Sequence, residues 1–455
     1  MYRGNRDLES ESTQSRTCKR TSTRWRLAVI GALLLVGLTT GMAIAAASDW
    51  PVWAGTQPVN ISNSTWDVTW QPAVAAGSSG QVVVAWSDYG ATDAARDIYV
   101  TLSESNGNTW STSPWVISAT ASNSVLPDAL IAEDRRFVTW VDMAGSPVAL
   151  YEAEIVEAGT ATVRSIISPL SLTNTQPRLA ASAGNLHVVF NAGDPSRILY
   201  ATRPLTSTSW PTAAVIYTPT ANFEFGSLFP MLAIDPDGET LHLAWIDIGL
   251  DARVIRYMRW EAGGAFTDTL SQEEAVDTRW GRPSIAADSL GNLHVVWEEE
   301  VGTGSAADRY VHYTRYDVNS GNWISPSTRV YSEPVGVNAD DPRNIVPALA
   351  LAEKKGEVTV CIAWHGFQAG GTEVGAEEIL SSCSQDGGLS WPVSPQNVSR
   401  SPKAEEVSIM PSIAFNSSGR LHGAWQERSQ FPYYEIYYAS LLDNQVFLPL
   451  VARGG

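Results

Sequence analysis

The sequence predicts an all-β chain closed as a seven-bladed β-propeller, and three observations carry that prediction. The first is a pattern repeated seven times. A proline opens a short apolar run, a polar turn usually containing glycine follows, and a second apolar run ends in an aromatic residue. The prolines are Pro72, Pro127, Pro177, Pro230, Pro283, Pro347 and Pro411; the aromatics are Trp86, Trp140, Phe190, Trp245, Trp297, Trp364 and Trp425. The second is spacing, since successive aromatics lie 50 to 67 residues apart across nearly the whole chain, a period typical of propellers. The third is composition: 18 Trp, 35 Gly and 25 Pro suit many strands and many turns. A six-bladed ring with one irregular unit is the fallback.

Residues 1–26 form a polar head with seven basic side chains against three acidic ones. Residues 27–47 are uncharged and mainly apolar. A basic flank stays inside, so this segment reads as a signal peptide or transmembrane anchor, and everything after Ser48 is expected outside the cytoplasm, secreted or membrane-anchored. Any membrane contact is assigned to that segment alone. Without residues 1–47 the net charge goes from −18 to −22, which excludes nucleic acid as a partner and mostly serves solubility.

The repeats claim residues 56–448 as one array, with 449–455 as a C-terminal tail. In each unit the run after the proline (PSIAAD, PMLAID, PRLAAS) is apolar enough to be the innermost strand. Turns such as SLGN and DPDG tolerate left-handed backbone, and the second run (LHVVW, LHLAW) returns antiparallel. A third strand with a tyrosine (Tyr99, Tyr200, Tyr257, Tyr313, Tyr437) and a β-rich fourth complete the unit. The last unit lacks a fourth strand, and Val59–Ser62 resembles one, so the N-terminal strand is expected to complete the last blade and leave no free sheet edge. Cys361 and Cys383 fall in neighbouring strands of the sixth unit and are expected to pair as a disulfide outside the cell.

Two residues beyond the blade aromatic stand Asp88, Asp142, Asp247, Glu299 and Glu427. They are expected at the face where the second strands end, with Arg178 and Arg282 near the entrance, as candidate ligand-binding groups. A repeated acid at a strand end is also what an array uses to cap its own loops, and that structural reading ranks first. His187, His242, His294 and His422 share one repeat position on separate blades, so they are read as packing residues and no metal ligand is assigned. His365 is the one histidine expected near the ligand face. Tyr433 and Tyr434 are read as a loop pair close to Glu435 and Glu427. No cofactor is required; a calcium ion among the carboxylates is a candidate.

Residues 384–391, SQDGGLSW, match the Ser-x-Asp-x-Gly-x-x-Trp pattern of the Asp-box, or bacterial neuraminidase repeat. Ser103 to Trp110 is a second copy with Ser105 in place of aspartate, and Glu261–Phe266 and Asp317–Trp323 are degraded relatives. On these motifs the propeller resembles the sialidase superfamily, which implies that the boxes lie opposite the active face. The family's site is a clamp of three arginines with a tyrosine–glutamate pair and an aspartate. The expected early arginine is missing around Trp70-Gln71-Pro72, so no catalytic residue transfers by motif. Two functions follow: a non-catalytic module for a glycan or an extracellular protein, or a divergent exo-sialidase. In the second, Arg178, Arg282 and a further arginine clamp a carboxylate while Glu299 or Glu427 works with a tyrosine such as Tyr434.

Overall fold

The computed structural model describes residue 53 and residues 57–441, apart from 65–68, 90–94, 119–121, 144–147, 171–174, 183, 251–252, 262–263, 272–277, 303–307, 325–326, 332–344, 367–376, 402–405 and 431–432. The head at 1–26, the apolar run at 27–47 and the tail at 449–455 lie outside the described residues. Among the described residues no helix is long and apolar enough to cross a membrane.

Seven antiparallel sheets follow one another along the chain, so the fold is a seven-bladed β-propeller. Blade 1 is Trp70–Ala76, Val82–Asp88, Asp97–Ser103 and Trp115–Val116; blade 2 spans 124–170, blade 3 178–217 and blade 4 226–269. Blade 5 covers 278–329, with its first and fourth strands each broken in two, and blade 6 covers 348–397. Blade 7 is Val407–Phe415, Leu421–Gln430 and Tyr433–Ser440, and its fourth strand is Val59–Asn60, with Val59 opposite Tyr438. The N-terminal strand therefore closes the ring as the sequence predicts. Seven apolar clusters each join two adjacent blades, the last joining blade 7 to blade 1 through Ile61, Trp86 and Tyr438.

Register explains why proline and aromatic recur together. In blade 1 Trp70 pairs with Ser87 and Ala73 with Ala85, so Gln71 and Pro72 together oppose Trp86. The same bulge puts Leu126-Pro127 opposite Trp140, Phe229-Pro230 opposite Trp245 and Met410-Pro411 opposite Trp425. Proline suits the bulge because it has no N–H to leave unpaired. The residue before it takes left-handed backbone, with φ 51° at Gln71, 58° at Leu126, 55° at Phe229 and 56° at Met410. Each such residue costs roughly 1–2 kcal/mol. The fully buried tryptophan opposite contributes about 4–6 kcal/mol at ~25 cal/mol per Å², so the bulge is held.

A second repeated device ties blades together at the other end. His187, His242, His294 and His422 each hydrogen-bond through Nδ1 to Tyr200, Tyr257, Tyr313 and Tyr438, at 2.7, 2.8, 2.8 and 2.6 Å. Each tyrosine meets a tryptophan of the next blade edge-on: Trp260 on Tyr200, Trp323 on Tyr257, Trp391 on Tyr313 and Trp110 on Tyr438, with centroids 4.7 to 5.0 Å apart.

This separates the tyrosines into two sets. Tyr99 and Tyr437 instead sit opposite the blade tryptophans Trp86 and Trp425, and in blade 7 it is Tyr438 that matches Tyr257. The turn at 384–391 fits the latch closely. Asp386 Oδ1 accepts the amides of Leu389 and Ser390 at 3.0 and 2.9 Å, and the Gly388 amide donates to Ser384 at 2.8 Å. At 103–110 Ser105 accepts the Thr109 amide at 2.9 Å, so a hydroxyl replaces the carboxylate. At 261–266 the aromatic does not latch: Phe266 is 60% exposed, and Trp260 meets the tyrosine instead.

Cys361 and Cys383 oppose each other in register and form a disulfide, with Cα atoms 4.1 Å apart.

Candidate functional site

The bulges converge on the axis. The innermost strands line a cavity of about 430 Å³, and the residue before each repeat proline contributes to its wall: Gln71, Leu126, Gln176, Phe229, Arg282, Val346 and Met410. The next layer, just past the prolines, brings Asp128, Arg178, Met231, Ser284 and Ser412 to the cavity, and apolar residues follow, Leu232 and Leu349 two places past the proline and Ala76, Ile131 and Phe415 four places past it. The first strands of blades 3 and 6 begin just after the proline, at Arg178 and Ala348, while in blade 5 the proline falls between Thr278–Trp280 and Ser284–Ala287. Arg282 therefore lies in the break between the two halves of the blade 5 strand, where the Gly281 amide still donates to the Glu298 carbonyl at 2.9 Å.

The two arginines differ in how they are engaged. Arg178 Nη1 lies 3.6 Å from Asp128 Oδ1, and its Nε is 3.1 Å from Met231 Sδ. Asp128 also accepts the Leu179 amide at 2.7 Å, which locks blade 2 to blade 3. Its pKa is raised by burial, against the opposing pull of Arg178 and the amides. Arg282 stacks on Phe229 with its guanidinium carbon 4.0 Å from the ring centroid, and its buried Nε has no hydrogen-bond partner among the described residues. Burial first, and then the charge of Arg178, push its pKa down to about 10 against the pull of Glu298. It stays charged at neutral pH, and an anion beside it would relieve both penalties.

The five strand-end acids stand elsewhere. All are at most 8% exposed, and none lines the cavity. Asp247 accepts from Ser227 at 2.6 Å, Trp245 Nε1 at 2.7 Å, Tyr217 at 2.8 Å and Arg256 Nε at 3.1 Å. Glu427 accepts from Ser408, Trp425 Nε1 and Ser401 at 2.6, 2.8 and 3.1 Å, yet burial still raises its pKa. Glu299 meets His312 and Arg329 at 2.7 Å each; burial works upward, but those two partners hold its carboxyl below the usual range. Asp142 accepts from Ser122, and Asp88 is buried and engaged. These contacts tie strand ends and loops together.

His365 is 1% exposed in the second strand of blade 6, outside the cavity lining. Tyr434 stands in the third strand of blade 7 rather than in a loop, beside Arg428. Glu435 opposes Glu427 and binds Ser62 and the Ser64 amide of the closing segment. Of the sequence-stated candidates, then, the cavity brings together Arg178 and Arg282. It adds Gln176, Asp128 and Phe229, which composition did not distinguish. One signal was available: they occupy the two positions flanking the repeat prolines. Among the described residues no group of three or more histidine, cysteine or acidic side chains is placed to hold a metal ion.

No protein-family model matches the chain, and no curated protein matches it. Solved structures similar to it include a leech intramolecular trans-sialidase, 12% identical, with 85% of this chain and 70% of that chain covered and a TM-score of 0.46. An α-L-arabinofuranosidase of Fusarium graminearum is 12% identical over 85% of this chain and 97% of that one, with a TM-score of 0.47. The NanB sialidase of Streptococcus pneumoniae is 10% identical over 87% and 71%, with a TM-score of 0.46.

Proposed function

We propose that this chain is an exported, non-catalytic recognition propeller that holds an anionic group of a glycan or extracellular protein at its axial cavity. The observation that carries this reading is Arg282, a guanidinium on the cavity wall that is stacked on Phe229 and bound to no carboxylate among the described residues. Arg178 adds a second charge close by, partly balanced by Asp128. The catalytic groups that the sequence offered are committed elsewhere: Glu299 and Glu427 bind their own strands and loops, and Tyr434 is not on the wall.

The test pairs an array of acidic and neutral glycans and peptides with hydrolysis of a fluorogenic α-sialoside, with and without calcium, on the purified protein and Arg282→Ala. Retention of acidic ligands that drops at least tenfold in Arg282→Ala, without turnover, is the expected result. Turnover abolished in Arg282→Ala would make the protein a hydrolase, and equal retention of neutral ligands would remove the anion site.

A further inference from the structure

We infer that Ser327, on blade 5 and outside the axial cavity, is an activated nucleophile that takes an acyl group from an aryl ester. This goes beyond the binding function proposed above and does not depend on it. Ser327 is half-buried and stands just before Thr328–Arg329, the second piece of the broken fourth strand, where Arg329 pairs with His312 and Thr328 with Tyr313. Its hydroxyl lies 3.0 Å from His312 Nδ1, and His312 Nε2 lies 2.7 Å from Glu299 Oε2. A hydroxyl, an imidazole and a carboxylate, each within hydrogen-bond reach of the next, form the arrangement that makes a serine nucleophilic. None of the three residues lines the axial cavity.

The contacts set the direction of the protons. An ionised carboxylate only accepts, so Nε2 carries the imidazole proton and Nδ1 is left to accept from the Ser327 hydroxyl. Glu299 is ionised at neutral pH, because His312 and Arg329 hold its carboxyl below the usual range against the upward push of burial. Arg329 binds the same Oε2 through Nη2 and Nε, at 2.7 and 3.1 Å, while its guanidinium carbon sits 3.4 Å from the Tyr310 ring centroid, so the carboxylate is held in place. The imidazole is fixed from its face, stacked on Trp297 with centroids 5.7 Å apart. His312 and Glu299 are each 8% exposed, so of the three groups the serine is the one open to solvent. A bond that only tied two strands would need neither a fixed tautomer nor an open hydroxyl. In the reaction Ser327 Oγ bonds the ester carbonyl carbon, its proton passes to His312 Nδ1, and the C–O bond to the phenol breaks. The imidazolium then returns that proton to the departed phenolate. A phenol is the leaving group that suits the site, since its phenolate departs without prior protonation. Arg329, two places on along the same face of the strand, brings a positive charge to the side where the oxyanion develops. Glu299 steadies the imidazolium and touches no reacting atom, so it is a positioning residue.

The experiment treats the purified protein with p-nitrophenyl acetate and, separately, with a fluorophosphonate, from which fluoride leaves as Ser327 Oγ bonds phosphorus; peptide mapping by mass locates the added group. Ser327→Ala, His312→Gln, Glu299→Gln and Glu299→Asp are run alongside, with melting curves to show that they fold. One acetyl or phosphonyl group per molecule should appear, on Ser327, and none at that position in Ser327→Ala. His312→Gln should slow acetylation at least a hundredfold. Glu299→Gln should slow it at least tenfold, and Glu299→Asp should recover part of that loss, as a carboxylate that only braced the blade would not. Ser327→Cys keeps the base and covers the case in which His312→Gln does not fold: at pH 7 iodoacetamide should alkylate that thiol at least tenfold faster than free cysteine. Label on other residues, no label on folded parent, label as fast in folded His312→Gln as in the parent, or a Ser327→Cys thiol no faster than free cysteine overturns the inference. None of these outcomes bears on the axial anion site, which the retention of acidic ligands tests.

Discussion

At the scale of single residues, burial rather than charge pairing sets the chemistry of the repeat histidines. Desolvation pushes His187 to about 4 and His422 to about 3, so both are neutral when folded. The sign follows directly: the unfolded chain takes up these protons near pH 6.5, the folded one only far below, so stability falls as pH drops below about 6.5. Each histidine contributes on the order of 1 kcal/mol per pH unit across that window. Glu298 works the other way. Burial raises its carboxyl to about 7, so the folded state binds its proton first and gains stability as pH falls from about 7. Replacing His422 with glutamine should flatten the acid limb between pH 6 and 4.5 by about 1 kcal/mol per pH unit. Urea midpoints read it, and the slope decides, because loss of the bond to Tyr438 lowers stability equally at every pH. A slope unchanged from the parent would place the acid lability elsewhere.

At the scale of the element, the glycine of the 384–391 turn is required for more than its backbone angle. Gly388 has φ 86°, and a Cβ there would lie 1.8 Å from the Tyr313 hydroxyl and 2.4 Å from its ring carbon. Gly356, with φ 84°, has nothing within 4 Å of the same added atom. Alanine at 356 should therefore cost only the left-handed strain, about 1–2 kcal/mol. Alanine at 388 should cost several times more, because the tyrosine must leave its seat against Trp391 and open the joint between blades 5 and 6. Differential scanning calorimetry of the two variants separates the terms, and equal losses would mean that the tyrosine adjusts freely. The turn pattern was legible in the sequence because one chain segment makes it. Its tyrosine was not, since Tyr313 belongs to the preceding blade and lies 75 residues before Gly388. The same limit applied to the candidate site. The strand-end acids attracted notice by repeating in five of the seven blades, yet where their partners are seen they bind their own strands and loops. Gln71, Gln176 and Arg282, which break the otherwise apolar series before the prolines, line the axial cavity, where the blades differ.

At the scale of the whole molecule, stability depends on joining the two ends of the array. The blade count and the closing strand were legible because seven copies of proline, turn and aromatic average out local irregularity, and because Val59–Ser62 resembles the fourth strand that it supplies to blade 7. The seal itself is small in backbone: Val59–Asn60 pairs with Tyr438 and Tyr437, and the Ile61 amide donates to the Ile436 carbonyl at 2.9 Å. Side chains extend it. Ile61 is buried between blades 7 and 1, Ser62 binds Glu435, and Trp53 packs among Trp425, Val398 and Leu441 while its amide meets Gln396 at 3.0 Å. A protein beginning at residue 65 should keep its blades but expose the edge of Tyr433–Ser440, which other chains can pair with. Burying Ile61 and Trp53 contributes several kcal/mol at ~25 cal/mol per Å², so the melting temperature should fall by on the order of 10 °C or more, with concentration-dependent association. A synthetic peptide of residues 53–64 added in excess should restore both, since it supplies the missing strand. A truncated protein that melts with the parent and stays monomeric would mean that blade-to-blade packing alone holds the ring shut.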